Sequence, residues 1–333
     1  MPKISVVVPT YNAQKYIVET LHSLLRQDAD FELLVLDDAS TDATLDLVRG
    51  LNDSRIRVFA LEHNQGRPAN ANRAFNLCRG EYIARIDHDD IAEPDRLRKQ
   101  SVFLDAHPDI TVVGTQIRHF DEDHFTSDFP LDDANIKARF TVGGAYLANP
   151  STMFRREFVQ QHGIRYDPNL DIVDDLGFWF DCMLHGARFA NLPEALTLYR
   201  VHSGMTSLNL DSAKLYEAKI RLYARMLPAF YPRMTGHDVA NINKLYAHPI
   251  EIEMSMDDVL ALHRSVGVAL SEIDLRWGAD PAQLEGGLLG MLGHRMNLRN
   301  QKHPRSEEDL HRCNVALWEG LESRGIPWKS YQE

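Results

Sequence analysis

The chain has 333 residues, of which 44% are hydrophobic and 25% are charged, as in a soluble globular protein of one large domain or two ordinary ones. Its formal net charge of −12 argues against nucleic acid as a partner, because nucleic-acid binding requires a basic surface. Three cysteines without a CxxC pair indicate reduced thiols, not a zinc site or a disulfide framework. With no signal-peptide pattern and no run of about 18 apolar residues, we expect a cytoplasmic protein.

Strand and helix patterns alternate through the first third of the chain. The apolar run ISVVVPT is typical of a strand buried on both faces, and Asn12 can cap the helix that follows it. Next come the strand FELLVLDD, the helix ASTDATLDLVRGL, the strand RIRVFAL, the helix PANANRAFNLCRG with Gly80 past its end, the strand EYIARID, the helix EPDRLRKQSVFLDAH and the strand DITVVGTQIRHF. This alternation predicts an α/β fold with a mostly parallel sheet and helices on both faces.

Three of the predicted strands end in residues that suit a ligand site. PTYN follows the first strand, DDAST the second and DHDD the fourth. Ligands of parallel sheets bind at the carboxyl ends of the strands, so these segments should meet at one edge. There is no GxGxxG motif after the first strand, which disfavours a dinucleotide-dependent oxidoreductase.

The acidic residues at these strand ends have two interpretations each. Asp37 and Asp38 either cap the next helix or accept hydrogen bonds from a nucleobase or ribose. Capping explains one aspartate of DHDD but not three, whereas a divalent cation held by Asp89 between two phosphates explains the cluster better. His88 lies between these aspartates along the strand, so we expect it to point away and to be structural.

From about residue 210 the pattern becomes helical. The predicted helices are DSAKLYEAKIRLYARMLPAFYPRM, SMDDVLALHRSVGVAL, PAQLEGGLLGMLGHRMNLRN and SEEDLHRCNVALWEGLESRG. The first is amphipathic, with Lys214, Arg221 and Arg225 on its polar side. That side either faces solvent or contacts a membrane surface or a lipid-linked acceptor, as basic amphipathic helices do.

The motifs together resemble one enzyme family. In order and spacing, SVVVPTYN, VLDDASTD, NQG, RGEYIARIDHDD, PDRLRKQ, NPSTMFRREF, DDLGFWF and LPEALTLYRVHSGMTS resemble the family 2 glycosyltransferases over residues 1 to about 207. The resemblance implies a GT-A fold for residues 1–210. It also implies inverting transfer of a sugar from a nucleotide-sugar donor, with a UDP-sugar favoured, to a glycan or lipid-linked acceptor in bacterial surface polysaccharide synthesis. The implied cofactor is Mn²⁺ or Mg²⁺.

We expect residues 211–333 to form a helical C-terminal domain that contacts the acceptor, a partner subunit or the membrane. The sequence leaves open a homo-oligomer and a peripheral position at the inner face of the membrane through residues 214–233.

The resemblance also assigns roles to single residues. Asp175 is the catalytic base, and Asp89 and His202 hold the metal. The nucleotide sugar is bound by Pro9, Thr10, Tyr11, Asp38, Arg67, Arg85, Asp87 and Arg200. Asp174 stands where the family has glutamate, and Asn149 where many members have histidine. Ala71 stands where many members have arginine, so Arg67 or Arg85 is expected to supply that charge.

Some alternatives stay open at this point. Asp174 and Asp175 could cap a helix through LGFWFDCML, where acids suit the first turn. A sugar-phosphate nucleotidyltransferase shares the sheet type and the metal, but PTYNAQKY is not the Gly-rich basic loop such an enzyme is expected to carry. A non-catalytic nucleotide-sugar-binding protein would have no need of both Asp89 and Asp175.

Overall fold

A computed structural model of the chain describes residues 1–144, 146–170, 172–205, 211–247, 252–273 and 278–322. The chain divides into two compact units, Met1–Ile136 with Ala145–Leu210, and Lys137–Gly144 with Asp211–Glu333. Within the described ranges, none of the helices is both long enough and apolar enough to cross a membrane.

The first unit is built on an eight-stranded sheet. Its strands are β1 (Ile4–Thr10), β2 (Phe31–Asp37), β3 (Ile56–Ala60), β4 (Tyr82–Arg85), β5 (Ile91–Ala92), β6 (Val112–Asp121), β7 (Met153–Arg155) and β8 (Phe189–Val201). Their spatial order is β3-β2-β1-β4-β7-β6-β8-β5. Strands β1 to β4 pair in parallel, whereas β7 runs antiparallel to both β4 and β6. Strands β6 and β8 also pair in parallel, whereas the short strand β5 runs antiparallel to β8. The mostly parallel sheet predicted from the alternating pattern is therefore confirmed, with the short strands β5 and β7 as its antiparallel members.

Seven helices are described in residues 1–184, and the apolar patterns predict the first four of them. They are α1 (Ile17–Leu25), α2 (Thr44–Gly50), α3 (Arg67–Leu77), α4 (Arg96–Ala106), α5 (Asp133–Thr141), α6 (Arg156–Gln161) and α7 (Asp174–Leu184), of which α5 runs on into the second unit. Val6, Val8 and Leu33 of the sheet share one buried cluster with Leu21 and Leu24 of α1. Each fully buried side chain of this size contributes about 1.5–3 kcal/mol.

Asn12 does not cap α1, contrary to the sequence prediction. The helix begins at Ile17, and Tyr16 occupies the N-cap position without a side-chain hydrogen bond. Asn12 instead adopts a φ of +48°, and its Oδ1 accepts a hydrogen bond of 2.9 Å from the backbone N–H of Thr41. Asparagine tolerates this left-handed conformation, so the residue ties two loops together where a helix cap was expected.

Gly80 has a packing role beyond the end of α3. A Cβ atom at this position would lie 2.6 Å from the backbone nitrogen of Ser5 in β1. The backbone N–H of Gly80 donates to Ser5 Oγ at 2.8 Å. The absence of a side chain therefore lets the chain pass close to β1 before it enters β4.

The second unit is helical. It contains α8 (Ser212–Phe230), α9 (Gly236–Ala247), α10 (Met256–Ser271), α11 (Pro281–Lys302) and α12 (Glu307–Glu322). On α8, Leu222, Tyr223, Met226 and Leu227 are buried, whereas Lys214, Arg221 and Arg225 are exposed, as the amphipathic pattern predicts. Helix α9 was not predicted, because its glycine, asparagines and valine favour helix weakly. Its buried Ile242 and Leu245 show that packing stabilises it.

Candidate active site

A recess of about 610 Å³ opens at the carboxyl ends of the parallel strands, within the first unit. Every residue that the sequence analysis assigned to the site lines this recess except His202: Pro9, Thr10, Tyr11, Asp38, Arg67, Arg85, Asp87, Asp89, Asp175 and Arg200. The residues meet because β1, β2 and β4 run in the same direction and end at one edge. His88, expected to point away, is also part of the lining.

The two aspartates at the end of β2 have different roles. Asp37 accepts from the backbone N–H of Ser40 at 2.9 Å, so it stabilises the turn. Asp38 is buried, and its two carboxylate oxygens accept from the backbone N–H groups of Gln65 at 2.8 Å and Gly66 at 3.0 Å. Asp38 is therefore fixed at the lining by the segment before α3. Each oxygen can still accept a second hydrogen bond from a ligand.

The loops after β1 and β2 are joined to each other. The Asn12 backbone N–H donates to Ser40 Oγ at 2.9 Å, in addition to the contact with Thr41. Ala39 lies in the left-handed region with a φ of +64°, which is uncommon for a residue with a Cβ. Tyr11 remains 46% exposed at the mouth of the recess. The turn thus positions Asp38 in the lining of a recess that also contains the exposed side chain of Tyr11.

Asp89 and His202 form a close pair at the end of β4. Their Oδ2 and Nε2 atoms are 3.1 Å apart, and the side chains are 19% and 15% exposed. A separation near 3 Å is that of two neighbouring ligands on an octahedral ion with bonds of about 2.1 Å. The donor set therefore fits a divalent cation. No cluster of three or more His, Cys, Asp or Glu suited to a metal occurs among the described residues, so further ligands would come from substrate or water.

The histidine of this pair is also held by the following turn. The backbone N–H of Gly204 donates to His202 Nδ1 at 3.2 Å, and the imidazole ring packs on Tyr16 with centroids 4.8 Å apart. Nδ1 thus acts as an acceptor here, which assigns the proton to Nε2. A cation at Nε2 requires the other tautomer and a small shift of the Gly204 turn.

Arg200 supports the Asp89–His202 pair through the backbone of Asp89. Its guanidinium side chain is 6% exposed and donates to Glu19 at 2.6 Å, to Asp121 at 2.6 Å and to the backbone oxygen of Asp89 at 2.8 Å. Its backbone N–H donates to Asp90 at 2.9 Å. Burial raises the pKa of the Asp90 carboxyl well above its ordinary value. These contacts fix the Asp89 backbone, and the contact of Arg200 with the donor stays a prediction.

Asp174 and Asp175 begin α7, but neither caps it. Val173 occupies the N-cap, and no side-chain capping bond is present there. Asp174 is buried and forms an ion pair with Arg67. Burial, and next the charge of Asp174, raise the pKa of Asp175 to about 6. Asp175 is therefore ionised at neutral pH but is a stronger base than an ordinary aspartate.

Tyr166 positions Arg85, a role that the sequence did not reveal. Arg85 Nη1 donates to Tyr166 Oη at 2.6 Å, while Nη2 lies 3.8 Å from Asp87 Oδ1. Tyr166 is itself stacked on Phe178, with centroids 4.3 Å apart, and exchanges two hydrogen bonds with the Asn72 side chain. Tyr166 lies in an irregular segment without periodicity, so only the tertiary contact identifies it.

The recess has a second wall that the sequence analysis left unassigned. It is formed by Ile117 and His119 of β6, Tyr199 of β8, and Asn149 and Pro150 of the turn before β7. This wall is mainly apolar and aromatic, in contrast to the charged wall formed by the ends of β1, β2 and β4. The recess thus offers two chemically different surfaces.

The chain is similar in sequence to known glycosyltransferases. A model of glycosyl transferase family 2 matches residues 5–163. The succinoglycan biosynthesis protein ExoO of Rhizobium meliloti is 30% identical over 245 residues, which cover 67% of this chain and 70% of that protein. TarS of Staphylococcus aureus, a poly(ribitol-phosphate) β-N-acetylglucosaminyltransferase, is 30% identical over 236 residues, which cover 67% of this chain and 40% of that protein.

Solved structures show the same fold. The crystal structure of TarS 1–349 in complex with UDP-GlcNAc aligns with a TM-score of 0.62 at 20% identity, over 97% of this chain and 92% of that one. The mannosyltransferase PcManGT from Pyrobaculum calidifontis, in complex with GDP-Man and Mn²⁺, aligns with a TM-score of 0.56 at 18% identity, over 95% and 87%. The predicted GT-A fold is confirmed. The alternatives of a nucleotidyltransferase and of a non-catalytic binding protein are excluded by the sequence matches. This chain belongs to the family 2 glycosyltransferases.

Proposed function

We propose that this glycosyltransferase moves a sugar from a UDP-sugar to a hydroxyl group of a saccharide or lipid-linked acceptor, with inversion at the anomeric carbon. The observation that carries the proposal is the presence in one recess of Asp175, a carboxylate with a raised pKa, and of Asp89, whose carboxylate lies 3.1 Å from His202 Nε2. The names of ExoO and TarS support a place in the synthesis of a bacterial surface polysaccharide.

The donor nucleotide is assigned to the charged wall. Asp38 presents carboxylate oxygens that accept only, which suits the N3–H of uracil. The exposed ring of Tyr11 at the mouth can lie against the base, and Asp87 can accept from a ribose hydroxyl. The UDP-GlcNAc bound to TarS supports a uridine donor, whereas the GDP-Man bound to PcManGT makes guanosine the main alternative.

Asp175 is assigned the role of general base. Its carboxylate takes the proton of the acceptor hydroxyl while that oxygen bonds to the anomeric carbon, and the bond from that carbon to the diphosphate oxygen breaks. Attack opposite the leaving group inverts the configuration. A base with a pKa of about 6 is well matched to neutral pH, and such a base typically contributes about 10²–10⁴-fold. Arg67 supports Asp175 in this role indirectly, because its ion pair with the adjacent Asp174 neutralises that charge.

Asp89 and His202 are assigned to a divalent cation, Mn²⁺ or Mg²⁺. When bound, this cation would stabilise the negative charge that develops on the leaving diphosphate. Arg200 holds the Asp89 backbone in place through its hydrogen bond to that carbonyl oxygen. The arrangement requires no second carboxylate as nucleophile, which only a double displacement with retention would need.

A thermal-shift screen tests the donor assignment. UDP-, GDP- and dTDP-sugars are added with and without Mn²⁺, since a ligand that binds only the folded state raises its stability. We expect the largest shift with a UDP-sugar and Mn²⁺ together. A larger shift with GDP-sugars would overturn the uridine assignment, and a product with the donor's anomeric configuration, read by NMR, would overturn inversion.

A further inference from the structure

The second wall of the recess carries two aromatic side chains side by side. His119 of β6 and Tyr199 of β8 are direct neighbours across these parallel strands, and their rings are 5.3 Å apart. Both line the recess, although neither belongs to the donor assignment. A wall with adjacent rings and a few polar atoms is the usual surface for a saccharide, whose C–H face packs on aromatic rings.

The imidazole of His119 is held in a fixed orientation. Its Nδ1 lies 2.8 Å from Asp123 Oδ2, and Asp123 Oδ1 accepts from the backbone N–H of His124 at 2.8 Å. The His119 backbone N–H donates to the carbonyl of Phe125 at 2.7 Å, so the segment after β6 folds back onto the strand. The Phe125 ring packs edge-on against His119 and is 53% exposed.

We propose that His119 and Tyr199 bind the acceptor sugar, that Asp123 orients His119, and that this subsite takes an uncharged saccharide unit. The proposal rests on the proposed function and names its acceptor class. A neutral imidazole that donates Nδ1–H to Asp123 keeps a lone pair on Nε2, which can accept a sugar hydroxyl. Tyr199 supplies the ring against which the sugar packs, and Phe125 extends this surface at the rim.

The charges around this wall disfavour an anionic acceptor sugar. The segment that encloses His119 carries Asp121, Glu122 and Asp123 in succession, all exposed. Two arginines of the recess already have carboxylate partners, since Arg67 pairs with Asp174, and Arg200 with Glu19 and Asp121. The third arginine of the lining, Arg85, donates to Tyr166 and lies 3.8 Å from Asp87. A uronic acid or phosphate bound over His119 would lie close to the carboxylates of residues 121–123, and like charges at short range repel.

Asn149 adds a further polar group to the same wall. Its Oδ1 is buried and has no hydrogen-bond partner among the described residues. An unpaired buried polar atom is destabilising, and a hydrogen bond from a sugar hydroxyl to Oδ1 would satisfy it. Within the proposal, the amide of Asn149 is a candidate for a second polar contact beside the lone pair of His119.

Saturation-transfer NMR on the full chain tests the proposal directly. The probes are methyl glycosides of glucose, galactose, mannose and N-acetylglucosamine, beside methyl glucuronide and galacturonide as matched anions. UDP is present to occupy the donor side. We expect a saturation-transfer signal for at least one neutral glycoside and a signal at least about fivefold weaker for its uronic acid. Equal or stronger signals for the uronic acids, or no signal for any neutral glycoside, would overturn the proposal.

Variants locate the binding in the same experiment. His119→Ala and Tyr199→Leu should each weaken binding of the neutral glycoside about 5- to 10-fold, the scale of one lost hydrogen bond or ring contact. Tyr199→Phe keeps the ring and should retain binding, and Asp123→Asn should weaken it less than His119→Ala. His124→Ala, an exposed neighbour outside the recess, is the matched control. Binding unchanged in both His119→Ala and Tyr199→Leu would refute the site.

The affinity for UDP is measured on each preparation. If the unsubstituted chain did not bind UDP, this result would contradict the proposed function but not the acceptor subsite. Normal UDP binding without any response of the neutral glycosides would contradict only the acceptor subsite.

Discussion

His202 Nε2 lies 3.1 Å from Asp89 Oδ2, although the two residues are 113 positions apart in the chain. Strand β8 brings His202 to the end of β4, and Arg200, two residues earlier, holds the Asp89 carbonyl. The spacing is that of adjacent ligands on one octahedral cation. A hydrogen bond from Nε2–H of a neutral imidazole to Asp89 gives the same distance, so metal binding is the property to test.

Substitution of either member of this pair should abolish the response to metal. We expect Asp89→Asn and His202→Ala to lose the additional thermal stabilisation that Mn²⁺ gives in the presence of UDP, and to lower metal-dependent donor turnover by at least about 10²-fold. Asp95→Asn removes an exposed carboxylate of the same unit and serves as control. Full Mn²⁺-dependent activity of Asp89→Asn at ordinary metal concentration would show that the cation is held elsewhere.

Loss of the base should separate transfer from donor binding. We expect Asp175→Asn to keep UDP affinity nearly unchanged and to cut transfer by at least about 10²-fold. Because the pKa of Asp175 is about 6, transfer by the unsubstituted enzyme should fall as the pH drops below about 6 and the base becomes protonated. If Asp175→Asn lost donor binding and kept most of its transfer, Asp175 would be a donor ligand.

The same pKa shift predicts that the stability of the fold changes with pH in the opposite direction to the transfer activity. Folding raises the pKa of Asp175 from 3.8 to about 6, so the folded state binds this proton more tightly than the unfolded state. The resulting stabilisation is present below about pH 4 and is lost as the pH rises through about 6. Asp175→Asn should therefore melt at a higher temperature than the unsubstituted chain at pH 8 and not at pH 4. Glu157→Gln, an exposed acid on α6, should show no such pH-dependent difference.

Local patterns were sufficient to predict which strand-end segments form the charged wall of the recess. Buried β-branched runs predict β1 and β2, and a parallel sheet brings the residues that follow them to one edge whatever the details of packing. Asp38 and Asp89 could therefore be placed together before any distance was known. The same patterns predict α8, whose buried and exposed faces follow the helical period.

Contacts between distant segments could not be predicted in this way. The Arg67–Asp174 pair and the Arg85–Tyr166 hydrogen bond join residues 107 and 81 positions apart, and neither leaves a periodic signal. The wall of His119 and Tyr199 depends on the register between β6 and β8, which shifts twice along the pair. Such features follow from tertiary packing, so they had to be read from the structure.

The left-handed turn at Ala39 should be sensitive to a branched side chain. Its φ of +64° is costly for any residue with a Cβ and more so for valine. We expect Ala39→Val to lower the free energy of unfolding by about 1–2 kcal/mol and to weaken UDP binding, because Asp38 is the preceding residue. Ala43→Val, at an exposed position with a φ of −75°, should change stability by less than about 0.5 kcal/mol. Equal effects of both substitutions, measured by denaturant unfolding, would show that the turn is not strained.

The basic face of α8 should serve the acceptor or the membrane and leave donor chemistry to the first unit. Residues 214–233 carry five basic residues and one acid in a chain of net charge −12, and Arg221 and Arg225 are exposed. Glu217 offsets Arg221 along the helix at 3.7 Å, which is a weak surface pair. We therefore expect Arg221→Glu with Arg225→Glu to weaken transfer to a lipid-linked acceptor and binding to anionic vesicles, while UDP-sugar hydrolysis is spared.

Salt and a charge-matched control make this last prediction specific. Vesicle binding by the unsubstituted chain should weaken as salt rises, because charges more than about 10 Å apart are screened at 0.1 M. Arg264→Glu with Arg312→Glu reverses the same number of charges on other helices of the second unit and should leave transfer intact. Transfer and hydrolysis are measured on one preparation of each variant. Equal loss of transfer and hydrolysis in the Arg221 and Arg225 variant would mean that α8 only supports the fold. Selective loss of transfer, together with flotation of the unsubstituted chain on anionic vesicles, would establish a lipid contact.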